Sequence, residues 1–353
     1  MAVTDTGVSA SQFEGADRRS LSTKLYRALS WCIVVTMFAF LLNDYLNFWL
    51  GWPGVPDLFA NFGLFGLEPL VKPLPDTAVT LATIQLASYI LALALALYYV
   101  FAMEAVGLRE DAARLTAIAA YIARAAFWSV LLIGLADAAV SFMRVESFLQ
   151  PLFGLQFAND MEQPQLRGLY IHLPLIALSM LIAALTRGLG FIWLALLVVL
   201  AEFLIVVTRF IFSYEQAFMG DLVRFWHGGL FLFASAYTLL EEGHVRVDVL
   251  YSGFSQRLRG FVNAFGSICL GIVLCWIILL VGFWGKSNII NSPLLTIEVT
   301  QQGFGLYVKY LMAGFLGVYA ISMMVQFAST FLDSIADIRG EPGGRKIQDD
   351  LTH

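Results

Sequence analysis

Glu241-Glu242-Gly243-His244-Val245-Arg246-Val247-Asp248 stands between two long apolar runs, Phe225–Leu240 and Phe261–Phe283. Six of its eight residues are charged, His or Gly, in a chain that is 59% hydrophobic. Hydrocarbon offers no water to such a group, so this polar knot marks a point where the chain leaves the bilayer and turns back. The flanking runs are then membrane-spanning helices, and the search for further spans proceeds outward from them.

Only 13% of the 353 residues are charged, and the mean hydropathy is +0.77. One soluble core of this length cannot enclose that much apolar area. An all-α, polytopic helical membrane protein fits, with lipid in place of a core. No basic cluster suits nucleic acid. Cys32, Cys269 and Cys275 fall inside apolar runs and read as small hydrophobes, with neither metal spacing nor a disulfide framework. The polar segment Met1–Arg18 is expected to be loosely attached. The first apolar run is expected to persist as a span rather than be removed as a signal.

A spanning helix needs roughly 20 apolar residues. Eight stretches qualify: Trp31–Trp49, Thr77–Met103, Thr116–Ser141, Leu169–Leu185, Phe191–Phe212, Phe225–Leu240, Val262–Gly285 and Phe304–Phe331. The sixth is short and depends on its flanks. An even number of spans puts both termini on one side. Lys and Arg concentrate on that side, among them Arg18, Arg19, Arg109, Arg114, Arg257, Arg259, Arg345 and Lys346. The other side holds Lys72, Arg144, Arg167, Arg209, Arg224, Lys286 and Lys309. The bias predicts cytoplasmic termini and a cytoplasmic knot. Four regions result: a polar segment (1–30), a four-helix membrane extension (31–187), a second four-helix membrane domain (188–333) and a polar tail (334–353).

Two outer loops, Val55–Leu70 and Glu146–Ala158, are rich in Phe and Leu but too short or too broken by Gly and Pro to span. They are expected to lie in the membrane interface or against a partner. Ser252–Phe261, with Arg257 and Arg259, suggests a short cytoplasmic surface helix. Ser267/Gly271 and Ala313/Gly317 are spaced to let another helix approach closely, compatible with a subunit interface. Arg27-Ala28-Leu29-Ser30-Trp31 and Arg124-Ala125-Ala126-Phe127-Trp128 open two spans in similar ways, with Asp44 and Asp137 towards the far ends. Helix ends favour a snorkelling Arg and an interfacial Trp, which accounts for the similarity without a duplication.

Glu202 is the acidic residue near the middle of a span. An ionised side chain there costs about 2.5–3.5 kcal/mol on insertion scales. It suits cation binding, proton relay, or a hydrogen bond to a neighbouring helix or partner subunit, the last being the expectation. Arg209 lies two turns away on the same helix, too far for direct pairing. His172 and His227 are the pair that a membrane haem would draw on, and no second pair remains for another. No Gly-rich phosphate loop, nucleophile elbow or metal-binding helix motif occurs. Nor is there a pair of helices interrupted by polar stretches at mid-depth, the usual pointer to a transported substrate.

From residue 190 onward the order of features becomes distinctive. Thr208-Arg209-Phe210-Ile211-Phe212 ends one span, a short segment with Glu215 and Asp221 follows, and an apolar run reaches Ala234-Ser235-Ala236-Tyr237. Then come Gly243-His244-Val245-Arg246-Val247-Asp248 and two further spans. Over Gly190–Leu332 this resembles the small permease, or Q subunit, of tripartite ATP-independent periplasmic (TRAP) transporters. Two departures stand out: such subunits usually have four spans where this chain has about four more ahead of them, and the position of Glu202 is usually apolar.

The resemblance implies a sodium-driven importer of organic acids in a bacterial inner membrane. Its expected partners are a large elevator-type permease (M) subunit, a periplasmic substrate-binding (P) protein and membrane lipids. The small subunit would be a static scaffold, not an enzyme, binding no cofactor, with sodium held by the large subunit. Arg209, Gly243, His244, Arg246 and Asp248 are the motif residues. Arg246 and Asp248 are expected to fix the turn and with it the carrier contact. The alternatives are a haem- or quinone-binding membrane anchor of an oxidoreductase using His172 and His227, and a self-sufficient channel or carrier with Glu202 on its pathway.

Overall fold

A computed structural model describes residues 20–187, 191–214, 216–240, 251–299 and 305–343. The N-terminal segment before Ser20, the polar knot with Gly243, His244, Arg246 and Asp248, and the tail beyond Gly343 lie outside the described residues. Every regular element among the described residues is helical. In chain order they are α1 (Leu21–Phe48), α2 (Val55–Asn61), α3 (Asp76–Ala102), α4 (Leu108–Val145), α5 (Leu149–Phe153) and α6 (Leu155–Glu162). The series continues with α7 (Pro164–Leu185), α8 (Phe191–Phe212), α9 (Ala217–Leu240), α10 (Gln256–Phe283), α11 (Asn291–Thr296) and α12 (Lys309–Arg339). Seven of these are long and apolar enough to cross a membrane: α1, α3, α4, α7, α8, α10 and α12.

A long helix therefore stands at each of the eight expected spans. The sixth, α9, has 24 residues and the length to cross, but Asp221, Arg224 and His227 make its first half more polar than its neighbours. Several helices begin earlier than hydropathy suggested. The surface helix expected at Ser252–Phe261 is instead the opening of α10, capped where the Ser255 side chain accepts from Leu258 N–H. α1 starts ten residues before Trp31 because Arg27 is enclosed and paired instead of marking the membrane edge. The two aromatic loops contain α2 and the pair α5–α6, none long enough to span, and both expose Phe: Phe62 and Phe65 in one, Phe148 and Phe153 in the other.

The chain divides into two compact units. One comprises the described residues of Met1–Thr116, Val245–Val273 and Met324–His353. In it α1 and α3 pack along each other. Near one end Gln85 ties the hairpin, donating to Asn47 Oδ1 and accepting from Gly54 N–H. Near the other, Arg27 crosses to the end of α3. Ser30 and Ser329 donate to the carbonyls of Ala328 and Ala112, and Tyr26 meets Phe331 edge-on. Gly260 lies so close to the last turns of α12 that a Cβ there would stand 2.8 Å from the Ser334 carbonyl.

The other unit comprises Ala117–His244 and Leu274–Met323, as far as described. Its apolar core gathers Phe127, Val130 and Ile133 of α4, Leu194 and Ala201 of α8, Phe218, Leu222, Phe225, Trp226 and Phe233 of α9, and Phe315 of α12. Trp226 fits against Gly134, where a Cβ would lie 2.2 Å from the indole nitrogen, and donates to the Val130 carbonyl. Elsewhere large apolar side chains stay exposed. α8 alone leaves Trp193, Val199, Phe203, Val206 and Phe210 uncovered. Helices apolar on nearly all faces and covered on one are what a lipid solvent permits.

Candidate functional site

Within the second unit, the last turns of α4 and the first turns of α7 carry polar and charged side chains; of the four enclosed here, the expected spans leave only Arg167 outside. Asp137, Ser141 and Arg167 are fully enclosed, and His172 nearly so. Asp137 Oδ1 accepts from Arg167 Nε, while Arg167 Nη2 donates to the Asp137 carbonyl and to Ser141 Oγ, both at 2.8 Å. His172 Nε2 lies 3.0 Å from the same carboxylate oxygen, and Tyr310 Oη lies 2.7 Å from Nδ1. An ionised carboxylate only accepts, so Nε2 of His172 donates to Asp137 while Nδ1 and the Tyr310 hydroxyl share the second hydrogen bond.

Local backbone geometry makes this convergence possible. Along an α-helix Arg167 and His172, five residues apart, would point about 140° away from each other. Over Gly168–His172, however, α7 forms a π turn in which Leu173 N–H bonds to the Gly168 carbonyl, five residues back. A π turn lines up residues five apart, so both side chains reach Asp137. Gly168 clears the way for Tyr310, since a Cβ there would stand 3.2 Å from its hydroxyl.

Asp137, together with Asp221 of α9, also holds the stretch that enters α12. Asp137 Oδ2 accepts from Tyr307 N–H at 2.8 Å, and Asp221 Oδ2 accepts from Leu306 N–H at 3.2 Å. Tyr307 lies beneath two guanidinium groups, with Arg144 and Arg167 at 4.9 and 4.6 Å from its ring centre. Arg144 also donates to the Tyr307 hydroxyl and the Gly305 carbonyl. The cluster therefore anchors backbone and pairs most of its polar atoms internally, as a structural centre does, leaving Arg167 Nη1 and Arg144 Nε without a partner among the described residues.

A second enclosed pair stands in the first unit. Arg27 Nε donates to Asp111 Oδ2 at 2.7 Å, and its Nη1 reaches the Val100 and Met103 carbonyls. A cation is thus held against the C-terminal carbonyls of α3, where the helix dipole favours it. Tyr99 donates to Asp111 Oδ1 at 2.6 Å, and Arg114 bonds to Tyr99. In the other unit Arg124 donates to the Ala183 carbonyl, near the end of α7. The two Arg-Ala strings thus do related work, each bonding a carbonyl towards the end of the next long helix, but Arg27 alone is fully buried against an acidic partner.

Of the residues singled out in the sequence, Glu202 lies at the midpoint of α8, exposed, with no hydrogen bond or ion pair to any described residue. Arg209 is also exposed, towards the C-terminal end of the same helix. His172 has both ring nitrogens engaged, and His227 is exposed beside Phe231, so neither is placed as one of an axial pair. The small residues marked for helix contacts are used inside the chain: Gly271 lies under the Phe327 ring of the first unit and Gly317 against Phe283 of the second. The Asp137–Arg167–His172–Tyr310 cluster was not foreseen. Its one sequence signal is an Asp inside an apolar helix together with an Arg and a His at the start of the next.

Residues 196–337 match the family model described as "Tripartite ATP-independent periplasmic transporters, DctQ component". The match covers most of α8 and all of α9, α10 and α11, with nearly all of α12, and it bears out the small-permease resemblance over that stretch. Helices α1 to α7 precede it and form an additional helical membrane region. No curated protein and no solved structure matches the chain.

Proposed function

We propose that this multi-pass membrane protein is the small membrane subunit of a TRAP transporter and serves as a static scaffold for a large, moving carrier subunit. The observation that carries this is the family match over 196–337, laid across helices many of whose described polar side chains bond within the chain's own fold, with Glu202 left over at mid-helix. Asp221 holds the entry to α12, Asn291 donates to the Phe283 carbonyl, and Ser322 and Ser334 bond within their helix. Helices that serve as bracing need packing and no polar path of their own.

On this reading the complex works in a bacterial inner membrane, with a large M subunit holding substrate and sodium and a periplasmic P protein delivering organic acids. The chain itself performs no chemistry and holds no cofactor. Arg246 and Asp248 fix the turn between α9 and α10 and thereby the contact with the carrier, and Arg209, Gly243 and His244 belong to the same motif set. The test is purification of the tagged chain in mild detergent. A larger polytopic protein in equal amount is expected. The chain emerging alone, with a Soret band, would move it to the haem-anchor class.

A further inference from the structure

We propose that the α8 face bearing Glu202 docks against a membrane span of the carrier subunit that presents a cationic or hydrogen-donating side chain to this carboxylate. The proposal rests on the scaffold reading for the identity of the partner. It goes beyond that reading in naming the face and the polar anchor.

α8 has 22 residues, and its apolar length matches a bilayer core of about 30 Å. Its inward face is defined by Leu194 and Ala201, with Leu197, Val198 and Ile205 partly covered beside them. Glu202 sits on the flank of that stripe, and going outward from it come Val206, Val199 and Phe203, all exposed. From the midpoint, either end of the helix is about 15 Å away, beyond the reach of a Glu side chain, so snorkelling cannot rescue the carboxyl. No described residue pairs with it. A polar group at that depth, facing outward, needs a partner that brings the hydrogen bonds water would supply.

Charge complementarity selects the occupant. Lipid tails offer no donor. Two copies meeting through this face would set one Glu202 against another among Val199, Phe203 and Val206, an arrangement that holds only with a proton shared between the two carboxyls and that the cross-linking arm below separates from a carrier contact. A different span carrying Lys, Arg, His or a neutral donor satisfies the carboxyl, and the surrounding apolar side chains supply the packing that joins helices in lipid.

The test combines two measurements on the full-length chain in its native membrane. First, Glu202→Leu and Glu202→Gln variants are tagged and purified in mild detergent, and the retained carrier is quantified. The Leu variant is expected to retain roughly three- to tenfold less carrier than wild type, and the Gln variant, which still hydrogen-bonds, most of it. The thermal midpoint of each chain alone is expected to match wild type, since Glu202 has no partner among the described residues. Second, Phe203→benzoylphenylalanine is photolysed in membranes and the cross-linked peptide sequenced. A span of a larger polytopic protein with a donor side chain near the adduct is expected. Full retention of the carrier by Glu202→Leu, or adducts only to lipid or to a second copy, overturns the docking face. Failure of the wild-type chain to retain any carrier removes the scaffold reading itself, which keeps the two failures apart.

Discussion

Arg27 and Asp111, 84 residues apart in sequence, meet at 2.7 Å with no exposed surface on either side chain. A buried pair is weak evidence of net stabilisation, because both charges lose their hydration. Removing one partner is a different matter, since it strands the other. Here stranding Arg27 would also disturb the end of α3, whose Val100 and Met103 carbonyls it contacts.

Asp111→Asn or Arg27→Met alone is therefore expected to lower the unfolding free energy in detergent by about 3–5 kcal/mol. The double change Arg27→Met, Asp111→Leu should recover most of that loss. Denaturant titration followed by far-UV circular dichroism reads the effect. Equal losses in single and double variants would show that the ion pair is not what holds this corner.

The His172–Tyr310 contact links the π turn of α7 to the start of α12. Tyr310→Phe and His172→Asn should each destabilise the chain, and the double variant should lose less than the sum. A coupling of about 0.5–3 kcal/mol is expected from a double-mutant cycle. Strict additivity would place the two groups out of contact.

Gly271 supports the Phe327 ring, with a built Cβ at 2.6 Å from it. Gly271→Leu should overpack that contact and cost about 1–3 kcal/mol of the chain's own stability. Because the glycine is spent on an intramolecular helix contact, the purified variant alone should show a lowered thermal midpoint. An unchanged midpoint with selective loss of a partner would return this glycine to a subunit interface.

Sequence made the class of fold legible because α3, α8 and the apolar part of α10 are hydrophobic on nearly every face, a pattern that survives without knowing any neighbour. Glu202 is legible for the same reason: one carboxyl stands out in an apolar run, and the structure places it at mid-helix with no partner among the described residues. Arg27 and Arg167 were misplaced as membrane-edge charges. What neutralises them, Asp111 and Asp137, lies 84 and 30 residues away, and only tertiary structure brings them together. The π turn that aligns Arg167 with His172 leaves no periodic trace in five residues. The sixth expected span, α9, is legible from its apolar second half, while Asp221 in its first half holds the backbone of Leu306.

The central claim is that this chain braces a carrier and moves nothing itself. Uptake of radiolabelled organic acid into proteoliposomes under an inward sodium gradient tests it most directly, with this chain, the co-purified large subunit and the periplasmic binding protein added singly and together. The account predicts no uptake with this chain alone, uptake with all three, and loss of uptake when this chain is left out. Solute entry into vesicles that contain only this chain would contradict it.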